Sequence, residues 1–494
     1  MITAGPSDDA PAQTLIDSGF ALEIADAPLL HAPLTLADIA HVIDLRTRGI
    51  VSQASASSLL RMLMDVYGIR AEDFPYNPAY GDPYNCRERY FIERIGDEAG
   101  WLHAGRPRRE AARVALRLLL RGQIARLVGD TATFGRCVAE VAARHAETYM
   151  PDQTYLQQAQ PSTFGHYLLT FAYSGLRDAR RLLDCLDWVN QSPGGAGCVN
   201  GSRLVGDRAT IADLLGFDGV ILHTRDAMWQ VDGLIDLLAT AVSLVTQQSK
   251  LAEDLEIWDS REFGFVDLAG PYTRASVLMP QKRNPYALSI VRGAAGILIG
   301  RLAGFLAVVK SPTARSDNLI YAQGELPRAL DLAERVTRLM AEVVATLHVD
   351  AQRMFEQLEQ GFSQATDLAE FVMLECGVDY RTAYLVVGRA VRSASEQGLR
   401  GLDVTGAMLD EAAEELVGRG LGLDGTDLTE VLDPQAIVRT RVAAGGAAPD
   451  VVRQMAASCR KAADDVARLA SARAAAFTLA EERLLSRARQ AADE

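Results

Sequence analysis

Apolar residues recur at helical spacing through most of this 494-residue chain. Between residues 35 and 67 they fall three and four positions apart, and a break at residues 49–52 reads as a turn between two helices. Residues 86–95 repeat the pattern, and Gly-Arg-Pro at 105–107 punctuates the chain before the next helix. Long stripes follow over residues 108–149, 164–189, 226–257, 286–309 and 325–347, the first with a weak point at Gly129. Each exceeds the ~12-residue mean helix of globular proteins. Stripes that long, with wide apolar faces, predict a bundle whose outer faces pack on other helices or other subunits. Alternation of β-branched and polar residues never persists beyond four or five positions, so the fold class is all-α.

From residue 350 the periodic segments shorten, and Gly401, Gly418, Gly420 and Gly422 break them up, which predicts a compact C-terminal domain. The division expected is an N-terminal helical domain over 1–107, a central long-helix bundle over 108–349 and a small helical domain over 350–494. Residues 1–20, rich in Ala, Pro, Asp and Ser, read as a loose arm. Residues 73–85, with Pro75, Pro78, Gly81 and Pro83, read as an irregular linker.

Composition narrows the function classes. The chain is 49% hydrophobic and 23% charged, as soluble globular proteins are, and carries a net charge of −14. That charge argues against a nucleic-acid partner, because phosphate contacts need a basic face. It leaves an anionic substrate open, since a few arginines or lysines set the potential of a cleft. The six cysteines are scattered without CxxC spacing, which fits reduced thiols in a cytoplasmic setting. The first residues lack the basic and apolar regions of a signal peptide. No uninterrupted apolar run reaches 18 residues, so a membrane partner is not expected. Neither metal-ligand spacing nor a nucleotide-binding glycine loop is found, so neither a metal nor another cofactor is expected.

Candidate chemistry concentrates in residues 273–285, Thr-Arg-Ala-Ser-Val-Leu-Met-Pro-Gln-Lys-Arg-Asn-Pro. Ser276, Lys282 and Asn284 bring a hydroxyl, an ammonium and an amide within nine residues. Met279 and Asn284 precede prolines and are pushed toward extended backbone. Such a loop can abstract a proton and stabilise the anion that results. It can equally be a polar connection with a proline opening the next helix, and spacing alone leaves both readings open.

The stretch resembles the Gly-Ser-Ser-x-Met-Pro-x-Lys-x-Asn-Pro segment of the aspartase/fumarase superfamily. Over residues 20–460 the chain is similar to the argininosuccinate lyase branch of that superfamily. Agreement in order and spacing extends to Glu-Arg-Ile-Gly at 93–96, Leu-His-Ala-Gly-Arg at 102–106 and the run at 157–166. It continues at 215–220, 262–266, Ala-Thr-Asp-Leu-Ala at 365–369 and Glu-Val-Leu-Asp-Pro at 430–434. The resemblance implies three helical domains, a homotetramer built on one central bundle, and active sites each assembled from three chains. It also implies a small dicarboxylate-type substrate.

By the same resemblance Ser276 removes a proton from the carbon next to a carboxylate and Lys282 stabilises the resulting anion. Asn284 and Met279 contact substrate from the same loop. A serine is a weak base at its free pKa and needs a neighbouring cation and backbone donors. Ala275 and Val277 stand where the family carries Gly and Ser, which makes the loop stiffer and less polar.

Other positions depart further. Thr154 and Gln157 match residues that contact a substrate carboxylate, but between them Tyr155 replaces a histidine. Ser289 replaces the glutamate that pairs with that histidine, so both halves of the relay are gone. Tyr155 can be a substitute proton donor, an aromatic wall or packing; a phenol of pKa ~10 suits donation better than abstraction. Arg106 and Arg108 survive from a Gly-Arg-Ser-Arg-Asn-Asp-Gln pattern and are expected to grip a carboxylate. Pro107, Arg109 and Ala111 depart from it. The alternative for these arginines is solvated charge, unfavourably placed at a helix start. Trp229 and Val231 interrupt another polar motif, and Asn318 replaces a tyrosine, while the substrate contact Gln323 is retained. A guanidinium pocket is therefore expected to be rebuilt with Trp229, Val231 and Tyr155. His103 and His166 read as structural.

These residues point to a cofactor-independent lyase of the carbon–nitrogen type that cleaves a C–N or related bond of a substituted succinate and releases fumarate or an analogue. Argininosuccinate is not the expected substrate, and a place in specialised metabolite biosynthesis is the expected context. A cycloisomerase of the same superfamily and a non-catalytic paralogue are the alternatives. Intact Ser276, Lys282 and Asn284 weigh against the second.

Overall fold

The structure is a computed structural model that describes residues 11–311, 320 and 324–494, so Asn318 and Gln323 lie outside the described residues. The fold is all-α. Five long helices carry the middle of the chain: Arg108–Arg144, Phe164–Val189, Asp232–Trp258, Tyr286–Val309 and Glu325–Ala345. Two of them keep the bounds that periodicity predicts, and the first runs unbroken through Gly129. The stripe expected over 226–257 divides instead at Gln230, whose side chain bonds Arg117 and Asp226.

Helix starts follow side chains that satisfy the first free amides. Ser52 accepts from the Ser55 amide at 3.1 Å and Thr163 from the His166 amide at 3.1 Å. Asp82 accepts from the Asn85 amide at 2.9 Å, with Pro83 in the first helical position, where its missing N–H costs nothing. At the other end of the Phe164–Val189 helix, Arg117 donates to the carbonyls of Trp188 and Val189 at 2.8 and 3.0 Å. Its guanidinium also lies over the Trp188 ring at 4.1 Å. Gly233 lets the next helix cross there, because a Cβ on it would fall 2.1 Å from the Trp188 ring.

The five helices share one apolar core, and the closing helix Pro449–Asp493 joins it. At 45 residues this helix is about 68 Å long. Val452, Ala456, Val466 and Phe477 bury in the central core, and Leu484, Leu485 and Ala488 bury further on in the N-terminal core. The N-terminal core is built mainly by Ala21–Thr47, Gln53–Gly68 and Pro83–Ile95, with Val114 and Leu118 of the first long helix and Ile211, Ala212 and Leu215 joining it. The small C-terminal core spans only residues 368–432. The domain expected over 350–494 is therefore divided, and its last helix ties the other two cores together. Residues 13–20 are helical and lead into Ala21–Thr47, where a loose arm was expected.

Two short antiparallel hairpins interrupt the helices. Tyr149–Thr154 pairs with Gln157–Thr163, and Arg274–Ala275 pairs with Arg283–Asn284. Both carry candidate site residues at their tips. The Tyr286–Val309 helix is long and apolar enough to cross a bilayer by length and composition, with 28% of its most apolar window buried. It carries Arg292, paired with Glu256 and Glu253, and Arg301, paired with Glu325. Ile290, Ile297, Ile299 and Leu306 on it are exposed.

Candidate active site

The segment around Ser276 closes as a hairpin. Arg274 faces Asn284 and Ala275 faces Arg283 across its base, where the Asn284 side-chain amide donates to the Arg274 carbonyl at 2.9 Å. Arg283 anchors it to Asp267 and to the Leu268 carbonyl. Within the loop the Lys282 amide donates to the Met279 carbonyl at 3.0 Å. The Ser276 side-chain oxygen accepts from the amides of Leu278 and Met279 at 3.3 and 3.0 Å. Two N–H dipoles aimed at one hydroxyl oxygen stabilise negative charge on it, as an activated serine requires. Hydroxyls also close turns in this way without any chemistry. The Lys282 side chain is exposed, as are Val277 and Leu278. The hairpin thus carries Ser276, Met279 and Lys282 on its loop and Asn284 at its base.

Thr154 and Gln157 pair across the end of the other hairpin, so Tyr155 and Leu156 form its two-residue turn. Both have left-handed backbone, with φ of 55° and 58°. Positive φ at both central residues gives the strand twist a hairpin needs, and Asn or Gly usually supplies it. Here a bulky aromatic does so, at a cost of about 1–2 kcal/mol. The Tyr155 ring is fully exposed, at 99%. Packing inside its own chain, one of its three open roles, is excluded.

Arg106 and Arg108 part company. Arg106 is buried and donates to the Ala37 carbonyl at 3.1 Å and to the Asp38 carboxylate, which also holds Arg87 at 2.7 Å. Burial alone would raise the Asp38 carboxyl, yet Arg106 and Arg87 hold it below the usual carboxylate range. The expectation that Arg106 grips substrate is corrected: its charge is used inside the N-terminal core. Arg108 instead lines a cavity of about 510 Å³ between the start of its own helix and the Ala21–Thr47 helix. Arg109 and Arg113 share its wall, and Glu23, Asp26 and Asp82 also face the cavity. Asp82 pairs with Arg108 at 2.8 Å and Asp26 with Arg328 at 2.6 Å. Glu23 and Arg113 have no hydrogen bond or ion pair among the described residues. Burial first, and then Asp82, push the Glu23 carboxyl up to about 7 against the pull of Arg108 and Arg109. Burial and the neighbouring Arg109 lower Arg113 to about 10.

Beside this cavity Glu110 accepts from the amides of Gly195 and Gly197, each at 2.6 Å, and pins their loop to the helix start. Gly197 has φ of 63°, and a Cβ on it would meet the Gly201 carbonyl at 2.4 Å. Among the described residues, Trp229, Val231 and Tyr155 do not line one pocket. Trp229 packs with Ala196, Ala227 and Met228, Val231 packs against the central core, and Tyr155 is fully exposed on its hairpin tip. Ser289, where a glutamate was missed, donates to Glu256 at 3.3 Å, and Arg292 pairs with the same carboxylate. A carboxylate from the neighbouring helix therefore stands beside residue 289.

The chain brings the candidates together in three separate places: the Ser276 loop, the Tyr155 tip and the Arg108 cavity. Among the described residues no hydrogen bond or ion pair joins one place to another. Sequence reasoning missed Glu23, Arg113 and Glu256, since each carries weight only through neighbours far along the chain. No group of three or more His, Cys, Asp or Glu among the described residues is arranged to hold a metal.

Known proteins resemble the chain over most of its length. Residues 45–300 match the Lyase family, and residues 362–439 match the family described as Argininosuccinate lyase C-terminal. The argininosuccinate lyase of Methanoculleus marisnigri is 35% identical over 433 residues, spanning 87% of this chain and 86% of that protein. That of Halorhodospira halophila is 34% identical over 469 residues, spanning 92% of this chain and 99% of its own. An EDDS lyase variant with bound fumarate superposes with a TM-score of 0.87 at 25% identity, covering 98% of this chain and 97% of the other. The 3-carboxy-cis,cis-muconate lactonizing enzyme of Pseudomonas putida shares the fold, with a TM-score of 0.69 at 19% identity, covering 92% and 100%. With matched families over most of its length and its serine, lysine and asparagine on one loop, the chain belongs to the argininosuccinate lyase-like branch of the aspartase/fumarase superfamily, and it is a lyase.

Proposed function

We propose that this lyase cleaves the carbon–nitrogen bond of an N-substituted aspartate without a cofactor, and that argininosuccinate is not its preferred substrate. The Ser276 oxygen, held by the Leu278 and Met279 amides, carries the reading. It takes the proton from the carbon next to the distal carboxylate. Lys282 offsets the charge that develops there. The C–H electron pair then forms the double bond of fumarate, and the C–N pair leaves with nitrogen, which gains a proton as the free amine departs. Tyr155 is assigned that proton donation, with Thr154, Gln157 and Asn284 on the carboxylates. Proton transfer by a positioned side chain contributes about 10²–10⁴-fold in rate.

The substrate assignment rests on the departures at Tyr155, Ser289, Pro107, Arg109 and Trp229, set against relatives named argininosuccinate lyase. Because the three candidate places stand apart in one chain, the working unit is a homotetramer in which tips from different subunits meet. The exposed isoleucines of Tyr286–Val309 supply the apolar face for that assembly. A cytoplasmic setting and a role in specialised biosynthesis complete the proposal. The experiment is fumarate release from N-substituted aspartates by the purified enzyme and by Ser276→Ala. Activity that survives in the variant overturns the assignment.

A further inference from the structure

The hairpin that carries Thr154, Tyr155 and Gln157 is held differently at its base and near its tip. At the base, Tyr149 buries with Leu358, Val438 and Ala447. Near the tip, Gln157 and Gln158 are consecutive on one strand, so their side chains leave on opposite faces. The Gln158 side-chain amide donates to the Gln357 carbonyl at 3.1 Å. That carbonyl lies in the last turn of the Ala351–Gln360 helix, whose final four carbonyls have no partner within the helix. The rest of the Gln158 carboxamide lies over Gly361, where a Cβ would fall 2.0 Å from its Oε1 and 3.0 Å from its Cδ. Gly361 has extended backbone, with φ of −94° and ψ of −170°, so only the space this contact takes calls for glycine there. Its carbonyl accepts from the Gly401 amide at 3.2 Å, within the stretch that forms the small C-terminal core. The turn beyond Gln158 puts Tyr155 and Leu156 in left-handed backbone, and a strained turn persists only where its surroundings hold it.

We propose that Gln158 is a positioning residue: seated on Gly361 and the Gln357 carbonyl, it fixes the tip so that the Tyr155 hydroxyl meets the departing nitrogen. The proposal rests on the proton donation assigned to Tyr155 above and adds what aims it. Drift of a reacting group by an ångström costs up to about a hundredfold in rate. The Gln158 bond is exposed, so its loss loosens the tip without unfolding the chain. Gly361→Ala acts on the same contact, because the new Cβ takes the place of the Gln158 carboxamide.

The test compares full-length wild type, Gln158→Ala, Gly361→Ala and the double variant, each with and without Tyr155→Phe. Hydrogen–deuterium exchange over residues 149–163 reads the tip directly, and fumarate release from N-substituted aspartates gives kcat and KM. Each single variant should speed exchange at the tip about fivefold, the share of one net hydrogen bond. Each should also lower kcat about tenfold. The double variant should match the singles, since both changes remove one contact. In the Tyr155→Phe background the kcat loss should vanish, an outcome that a merely structural role would not produce. Melting curves check folding, and Gln158→Glu, which keeps the length and loses the N–H donor, replaces any variant that does not fold. Faster exchange with unchanged kcat overturns the positioning role and leaves the elimination standing, as does a kcat loss that persists in Tyr155→Phe. Unchanged exchange in both single variants overturns the seat itself. Silence of the wild-type enzyme on every substrate overturns the elimination and the aim assigned to it, and exchange then still decides whether Gln158 holds the tip.

Discussion

The Ser276 side-chain oxygen accepts the backbone N–H of Met279 at 3.0 Å. A hydroxyl that receives N–H donors is better able to carry charge when its proton is gone, and Lys282 lies on the same exposed loop. Ser276→Ala should therefore lower kcat about a thousandfold and change KM little. Because the loop is exposed, the melting temperature should stay nearly constant. A full progress curve for fumarate release, with a melt beside it, checks both halves.

Tyr155 takes φ of 55° on its hairpin tip. Tyr155→Gly, which adopts that backbone without a Cβ clash, should raise stability by about 1 kcal/mol by relieving strain. It should lower activity at the same time. Tyr155→Phe keeps the ring and removes the hydroxyl, so it separates proton donation from wall formation. Activity close to wild type in the Phe variant would assign the wall. Denaturant titration of the Gly variant measures the strain.

Asp38 neutralises two buried guanidiniums, Arg87 and Arg106. Asp38→Ala leaves both charges without a carboxylate in the core and should destabilise the protein by roughly 3–5 kcal/mol. Equilibrium unfolding in urea reads this directly. A change under half a kcal/mol would show that Arg106 is not the core residue described above.

Glu23 titrates near 7 in the folded chain against an ordinary 4.5. Its raised folded value means that the native state binds this proton more tightly. Its stabilising contribution is full below pH 4.5 and is lost as pH rises through 7. Glu23→Gln should therefore gain on wild type in melting temperature across that window and run parallel outside it.

Much of the fold was legible because helices this long announce themselves by period and cap. Phe164–Val189 starts at a Thr163 cap and Tyr286–Val309 directly after Pro285, and both fall where the pattern ends. The Tyr149–Thr163 hairpin was not legible, since its Pro, Asp, Gln and Thr residues show no apolar alternation. Nor does period reveal what a helix packs against, and so the return of Pro449–Asp493 to two other cores went unseen. The site divided in the same way. Ser276, Lys282 and Asn284 are close in sequence and appear as one motif. Arg106 matched a motif equally well, yet its role is decided by Asp38, 68 residues earlier.

The most direct measurement is fumarate release by purified enzyme presented side by side with argininosuccinate and the N-substituted aspartates, repeated with Ser276→Ala. The account predicts fumarate from at least one N-substituted aspartate at a kcat/KM well above that for argininosuccinate, and its loss in the serine variant. Preferred cleavage of argininosuccinate would contradict the substrate assignment, and turnover that persists without the Ser276 hydroxyl would contradict the mechanism.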